Sequence, residues 1–241
     1  MRQIVRLSAD RHVPFPPVEQ ALADPNGLLA VGGDLSPARL LDAYRHGIFP
    51  WYSHDEPILW WSPDPRMVFH TDRLHVSSKL RRFLRGCDWT IRADRAFAAV
   101  MHACAAPRPK QPTTWITPEM RAAYCRLHEL GHAHSFEVYA GEELVGGIYG
   151  VAVGRMFFGE SMFSARSGGS KVALVALCRT LHEWGFPLLD AQVRSEHLVS
   201  LGAVEIPRAQ FARLIEIQAG QPGFPHSWAN RVGEFAAHTL A

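Results

Sequence analysis

Long apolar runs are missing from this chain of 241 residues. No stretch approaches the roughly 20 consecutive apolar residues that span a bilayer, and the opening MRQIVRLSADR lacks the apolar core of a signal peptide. A soluble, cytoplasmic protein with no membrane partner is expected. Cysteine is scarce and scattered: Cys87, Cys104, Cys125 and Cys178 form no C-x-x-C pair, which removes the usual spacing of a zinc site or a redox couple. Buried free thiols in a reducing compartment are the simplest account. Histidine is plentiful, and HELGH at residues 128–132 matches H-E-x-x-H, but Gly131 ends the helix inside it, so its two histidines do not share a helical face; His132 and His134 come without a cluster of acids or cysteines, and no metal is expected. Charge imbalance is also lacking. The formal net charge of +2 is too small to make the whole surface a nucleic-acid coat, so any contact with a polyanion is local.

What is present is enough apolar material for a proper core, 47% of residues, in one large or two small domains. The N-terminal portion is rich in proline, glycine and tryptophan and holds one clear helix. Ser36 is placed to cap it, Pro37 occupies its first turn, Leu40, Leu41 and Tyr44 share a face, and Gly47 stops it. Pro63 and Pro65 then mark a boundary, dividing a small α/β domain, residues 1–64, from residues 65–241.

Beyond the boundary, SSKLRRFLRG predicts a short helix with Ser77 or Ser78 as cap and Gly86 at its end. Lys79, Arg81, Arg82 and Arg85 crowd it, and no acid occurs between Asp72 and Asp88. Like charges one turn apart oppose a helix, so the cluster points to an anionic partner or, failing that, to a solvated basic face. A helix from about residue 95 to 104, the flexible PRPKQP, and a long helix opened by Thr117 and Pro118 and ended by Gly131 follow. SFEVYA and ELVGGIYGVAV then read as an antiparallel hairpin around Gly141, continued by MFFGESMF. SGGSKVALVALCRTLHEWG supplies a mostly buried helix, LLDAQV a strand, and residues 209–219 a closing helix before a tail with Phe224 and Trp228.

Polar groups interrupt this apolar pattern at Glu160, Asp190 and Gln192. A carboxylate inside an apolar strand is costly unless something pairs with it, which marks the segment for chemistry. Strand side chains alternate, so Asp190 and Gln192 are expected on the same face. The bland alternative is a pair that merely completes hydrogen bonds at a strand end. An antiparallel meander, a helix begun at a glycine-rich turn, a further strand and a final helix suit an α+β protein with a GNAT-like acyltransferase C-terminal domain. The turn itself, SARSGGSK, matches neither the R/Q-x-x-G-x-G/A cradle for CoA pyrophosphate nor G-x-x-x-x-G-K-[ST], because Lys171 is followed by Val172.

Nine segments in order, GGDLSPARLL, GIFPW, LWWSPDPR, TWIT, RLHELGHAHS, VGGIYG, FFGESMFS, LDAQV and SLGAVEIPR, resemble the bacterial leucyl/phenylalanyl-tRNA protein transferases over nearly the whole chain. The resemblance implies a metal-free, cofactor-free, monomeric enzyme. It would transfer Leu or Phe, with Met a further candidate, from Leu-tRNA or Phe-tRNA to proteins beginning with Arg or Lys, marking them for degradation by the N-end rule. It also implies roles. Asp190 and Gln192 would act on the attacking amine, Gln192 accepting a hydrogen bond and Asp190 orienting or polarising Gln192. Ile148, Phe157, Met162, Leu174, Leu177 and Leu189 would form the aminoacyl pocket. Glu160 would meet the donor's α-ammonium or the basic acceptor. Trp51 and Trp115 would flank the terminal adenosine, and Lys79, Arg81, Arg82 and Arg85 would contact tRNA phosphates. Ile148 stands where a methionine is usual and Leu177 where a phenylalanine is expected, which bears on the choice among Leu, Phe and Met. Without the resemblance, the apolar stripe reads as core, and a core role is the alternative for either tryptophan.

Three rivals share parts of this pattern. They are a tRNA-dependent transferase that builds peptidoglycan branches, an acyl-CoA-dependent acetyltransferase, and a non-catalytic module that binds tRNA or N-degrons.

Overall fold

A computed structural model describes residues 4–8, 13–107 and 114–241. All but the first residue of the proline-rich stretch 107–112, expected to be flexible, lies outside that range. In the N-terminal part, β1 (Val5–Leu7), β2 (Leu28–Gly32), β3 (Phe49–Pro50) and β4 (Leu59–Trp61) form a small sheet in the order β1-β2-β4-β3. Helix α1 (Pro37–Arg45) begins as its sequence requires. Ser36 accepts from the N–H of Arg39, Pro37 fills the first turn, and Leu40, Leu41 and Tyr44 are buried.

The second sheet draws on the rest of the chain. Its elements are β5 (Arg66–His70), α2 (Ser78–Arg85), β6 (Thr90–Ala93), α3 (Phe97–Ala105), α4 (Pro118–Glu129), β7 (Ala133–Ala140), β8 (Glu143–Val153) and β9 (Met156–Ser164). They continue with α5 (Gly169–Glu183), β10 (Leu188–Gln192), α6 (Glu196–Ser200), β11 (Val204–Ile206), α7 (Arg208–Ala219), α8 (Ala229–Val232) and β12 (Glu234–Ala236). The strand order is β11-β5-β10-β9-β8-β7-β6-β12. The expected meander is β7, β8 and β9, each antiparallel to the next. Helix α3 starts two residues later than expected, because β6 and a left-handed Asp94 (φ +55°) occupy the preceding residues.

Parallel strands β9 and β10 pair only through Met156–Phe158 and Leu188–Asp190. β9 then follows β8 as far as Ser164, so a gap opens between β9 and the end of β10. Strand β5 fills the other side of β10, which it meets antiparallel. The sheet is covered on both faces. One core cluster joins Leu40, Tyr44 and Trp60 of the N-terminal part to Val100, Tyr124, Tyr149 and Phe211, so the two sheets share it. The other gathers Leu80, Leu84, Phe157, Leu174, Leu177 and Leu189. The tail is anchored in it, with Trp228 fully buried, stacked on His134 at 3.7 Å and donating its backbone N–H to Asp94 at 2.7 Å.

Helix α5 reaches the sheet by direct backbone contact. A Cβ on Gly146 in β8 would lie 2.3 Å from the carbonyl carbon of Gly169, the first residue of α5. No side chain fits there, and the approach sets the depth at which Leu174 enters the core. Gly146→Ala is expected to destabilise the protein by about 1–3 kcal/mol through overpacking, read as a lower urea midpoint at unchanged m-value; an unchanged midpoint would show that the helix shifts without cost.

Candidate active site

The gap between β9 and β10 holds a cavity of about 240 Å³ lined by Phe69, Ile148, Glu160, Met162, Leu174, Leu189 and Gln192, with Ser195, His197 and Leu198 from the residues after β10. Ile148 comes from β8, Met162 and Glu160 from β9, Leu174 from α5 and Leu189 from β10. One part of its wall is apolar, from Phe69, Ile148, Met162, Leu174 and Leu189, while Glu160, Ser161, Gln192, Ser195 and His197 supply polar atoms. Of the expected pocket residues, Phe157 and Leu177 are not on its wall. Phe157 is buried near Trp228 (ring centroids 5.8 Å), and Leu177 is fully enclosed in the core under α5.

Asp190 and Gln192 do not share a face, contrary to simple alternation. Asp190 pairs with Val68 of β5 and Gln192 with Met67, so Ala191 is an extra residue and the strand bulges. Val68 and Met67 point to opposite sides, and their partners therefore do too. Gln192 takes a left-handed conformation at φ +63° and lines the cavity, whereas Asp190 is wholly buried.

Each Asp190 oxygen is engaged away from the cavity. Arg66 donates Nε to Oδ1 at 2.8 Å and Nη2 to Oδ2 at 2.6 Å, and the backbone N–H of Gln192 also donates to Oδ1, at 3.0 Å. Asp190 thus holds the main chain of Gln192 and not its side-chain amide. Arg66 is itself inaccessible, its guanidinium 4.8 Å from the ring centre of Phe49 and 4.6 Å from that of Phe211, with Nη1 donating to the Gly47 carbonyl at 2.9 Å.

The Gln192 amide meets Glu160 instead. Its Nε2 donates to Oε1 of Glu160 at 3.0 Å. Tyr44 lies within donating distance of the same oxygen at 2.7 Å, Tyr124 of Oε2 at 3.2 Å, and the two hydroxyls are in close contact with each other; with one proton per hydroxyl, an ionised Glu160 can receive both only when the hydroxyls do not bond each other. Burial lifts the Glu160 pKa to about 7, against the pull of the tyrosine donors and of Gln192 and with a further push from the charge of Asp190. Burial, followed by the Glu160 charge, drives both tyrosine pKa values well above the usual 10, so the hydroxyls stay protonated donors. Tyr44 and Tyr124 escape sequence reasoning as site residues, because each reads as an apolar-face residue of its helix.

Trp51 and Trp115 share a second cavity, of about 600 Å³, with Tyr52, His54, Trp61 and Thr114. Trp51 is 44% exposed, its ring 5.8 Å from that of Trp61, whose Nε1 donates to the Trp51 carbonyl at 2.7 Å. Helix α2 buries Leu80 and Leu84 and exposes Lys79, Arg81, Arg82 and Arg85. Its Phe83 lies beside Gly168, so the basic helix adjoins the start of α5. Among the described residues no group of three or more His, Cys, Asp or Glu could share a metal ion, and no helix is long and apolar enough to cross a membrane.

Comparison with known proteins places this architecture. The model of the leucyl/phenylalanyl-tRNA protein transferase family matches residues 68–216, and that of the family's N-terminal domain matches residues 33–64. The chain belongs to the leucyl/phenylalanyl-tRNA protein transferase family. It is 63% identical to the protein of that name from Xanthomonas axonopodis pv. citri (strain 306), over 97% of this chain and 94% of the relative. The Xylella fastidiosa (strain M23) protein is 56% identical, covering 97% of each chain. Solved structures are remote, as with a functionally unknown protein from Staphylococcus epidermidis (9% identity, TM-score 0.41, 75% of this chain and 68% of that one).

The buried carboxyls give stability a pH dependence. Glu160 and Glu137 both titrate near pH 7 in the folded protein, raised chiefly by burial from an ordinary value of 4.5. Above pH 4.5 the unfolded chain has released these protons while the folded one retains them. Their stabilising contribution is therefore complete below about pH 4.5 and is lost as pH rises through 7, on the order of 1–3 kcal/mol for each group. Glu160→Gln should flatten part of that decline between pH 4.5 and 7.5 in urea titrations; a profile parallel to wild type would show that Glu160 titrates normally.

Proposed function

We propose that this chain transfers Leu or Phe from the 3′ end of aminoacyl-tRNA to the α-amine of proteins beginning with Arg or Lys, a cytoplasmic reaction that creates an N-degron. Membership of the family supports an aminoacyltransferase. The observation that carries the mechanism is the Gln192 amide, placed at the wall of a partly apolar cavity with its nitrogen committed to Glu160.

That bond orients the amide and leaves the Gln192 carbonyl, its one acceptor, to meet a donor in the cavity. The reaction is aminolysis of an ester. The amine nitrogen attacks the aminoacyl carbonyl, the ester bond to the ribose breaks, and the proton lost by nitrogen is matched by the one gained by the departing hydroxyl. An α-amine titrates at about 7.7–8.0, so a useful fraction is neutral without a strong base. Gln192 accepts one amine N–H and aims the lone pair, and catalysis comes mainly from holding the two substrates together. Glu160, gripped by two tyrosines, fixes the amide. Asp190 acts on the main chain beneath it. Ile148, Met162, Leu174 and Leu189 receive the aminoacyl side chain, with Phe157 and Leu177 supporting them from the core.

Stacking on Trp51 and Trp115 suits the CCA terminus common to all tRNAs, since a base on an aromatic ring contributes about 1–3 kcal/mol whatever its identity. The acceptor-stem phosphates fall to α2. A division into residues 1–64 and 65–241, the latter GNAT-like, accords with the two sheets and with the parting of β9 and β10. An acyl-CoA donor is disfavoured at the start of α5, where Ser164 Oγ already accepts the N–H of Ser170 at 2.8 Å and β8 presses on Gly169.

Two experiments test this. Purified protein given radiolabelled Leu-tRNA and a peptide with N-terminal Arg should form a Leu-Arg bond, and absence of transfer with both Leu and Phe donors would refute the proposal. Replacing Lys79, Arg81 and Arg82 together by Ala should weaken tRNA binding and reduce the slope of log K against log salt by roughly two to three units, if each side chain meets one phosphate. An unaltered slope would return α2 to a solvated surface.

A further inference from the structure

We infer that Arg66 is a positioning residue for the transfer: by holding both oxygens of Asp190 it fixes the left-handed turn that delivers the Gln192 amide to the cleft. The inference rests on the reading of Gln192 given above and extends it to a residue outside the cavity. Gln192 adopts φ +63°, a conformation that residues bearing a Cβ rarely take, and follows an extra residue in its strand. Such backbone persists only where the surroundings dictate it. Here the fixing contact is the N–H of Gln192 donating to Asp190 Oδ1, an Asx-type turn in which the carboxylate must point one way.

Arg66 decides that direction. Its Nε and Nη2 bind the two oxygens side by side, a fork that also fixes the plane of the carboxylate. The fork is held in turn by Phe49 and Phe211 on its faces and by the Gly47 carbonyl at Nη1. None of these groups reaches the cavity, and the guanidinium is wholly buried. Position therefore passes from Phe211 of α7 and Gly47 beyond α1, through Arg66 and Asp190, to the amide that meets the amine. Lysine cannot replace it, because a point charge on a flexible stem holds one oxygen at a time.

The test is a double-mutant cycle. Arg66→Lys should lower kcat for Leu transfer at least tenfold, with KM for Leu-tRNA within about twofold of wild type after correction for the folded fraction by urea titration. In the Gln192→Ala background the same change should lower kcat no further, because the group it positions is gone. Wild-type kcat in Arg66→Lys, or losses that multiply in the double mutant, would overturn the inference. Phe211→Leu, which loosens the guanidinium and leaves the ion pair intact, provides a second variant should Arg66→Lys not fold. It should shift or broaden the side-chain NH₂ resonance of Gln192 in 15N NMR spectra, and an unmoved resonance would count against positioning. That resonance reports whether or not the wild-type protein transfers label, so failure of the functional proposal remains distinguishable from failure of this one.

Discussion

A single buried ion pair, Arg66 with Asp190, makes demands that the rest of the molecule meets. Taking a guanidinium and a carboxylate out of water costs several kcal/mol per ion, and mutual attraction offsets this only with excellent geometry and further hydrogen bonds. Both conditions hold. The pair is bidentate, the Gly47 carbonyl takes a third guanidinium donor, and two aromatic faces enclose the cation. The partners come from the residues after α1, from β3, from β5, from β10 and from α7. Assembling them brings the N-terminal sheet onto the larger one, which explains why one core serves both sheets.

A second polar group, Glu160, lies nearby and follows different rules. It has no cationic partner among its bonds, only the hydroxyls of Tyr44 and Tyr124 and the amide of Gln192. Neutral donors stabilise a buried carboxylate less than a guanidinium does, and accordingly its proton stays on to about pH 7. The two carboxyls thus divide the labour around Gln192. The charged, paired one governs the backbone, and the weakly acidic one governs the side chain. An amide held from both ends has little freedom to reorient.

Local signals in the sequence located the helices well. Ser36 with Pro37, Ser77, and Thr117 with Pro118 each cap or open a helix where expected, because capping depends on a few neighbouring residues. The hairpin and meander were legible for the same reason. Strand β5 was not. RMVFH lies just after a proline-rich turn, and its place between β10 and β11 depends on pairing with residues 188–206, far along the chain, which no local pattern encodes. The same pairing creates the bulge at Ala191, so the opposite facing of Asp190 and Gln192 was hidden with it. Phe69 escaped notice as a cavity residue because it reaches the cleft only by standing opposite Leu189.

Ile148 and Leu177, the two positions where the resemblance implies a departure, are also unequal once their places are known. Ile148 is on the cavity wall, whereas Leu177 is enclosed under α5. A branched Ile in place of an unbranched Met gives a shorter, stiffer wall, and a methylene gained or lost against a bound side chain is worth about 1–3 kcal/mol. Leucine at position 177 acts only through packing, where a smaller residue lets neighbours settle rather than reshaping the opening. Ile148, opposite Met162 in the β8–β9 ladder, is therefore the one of the two that shapes the cavity wall.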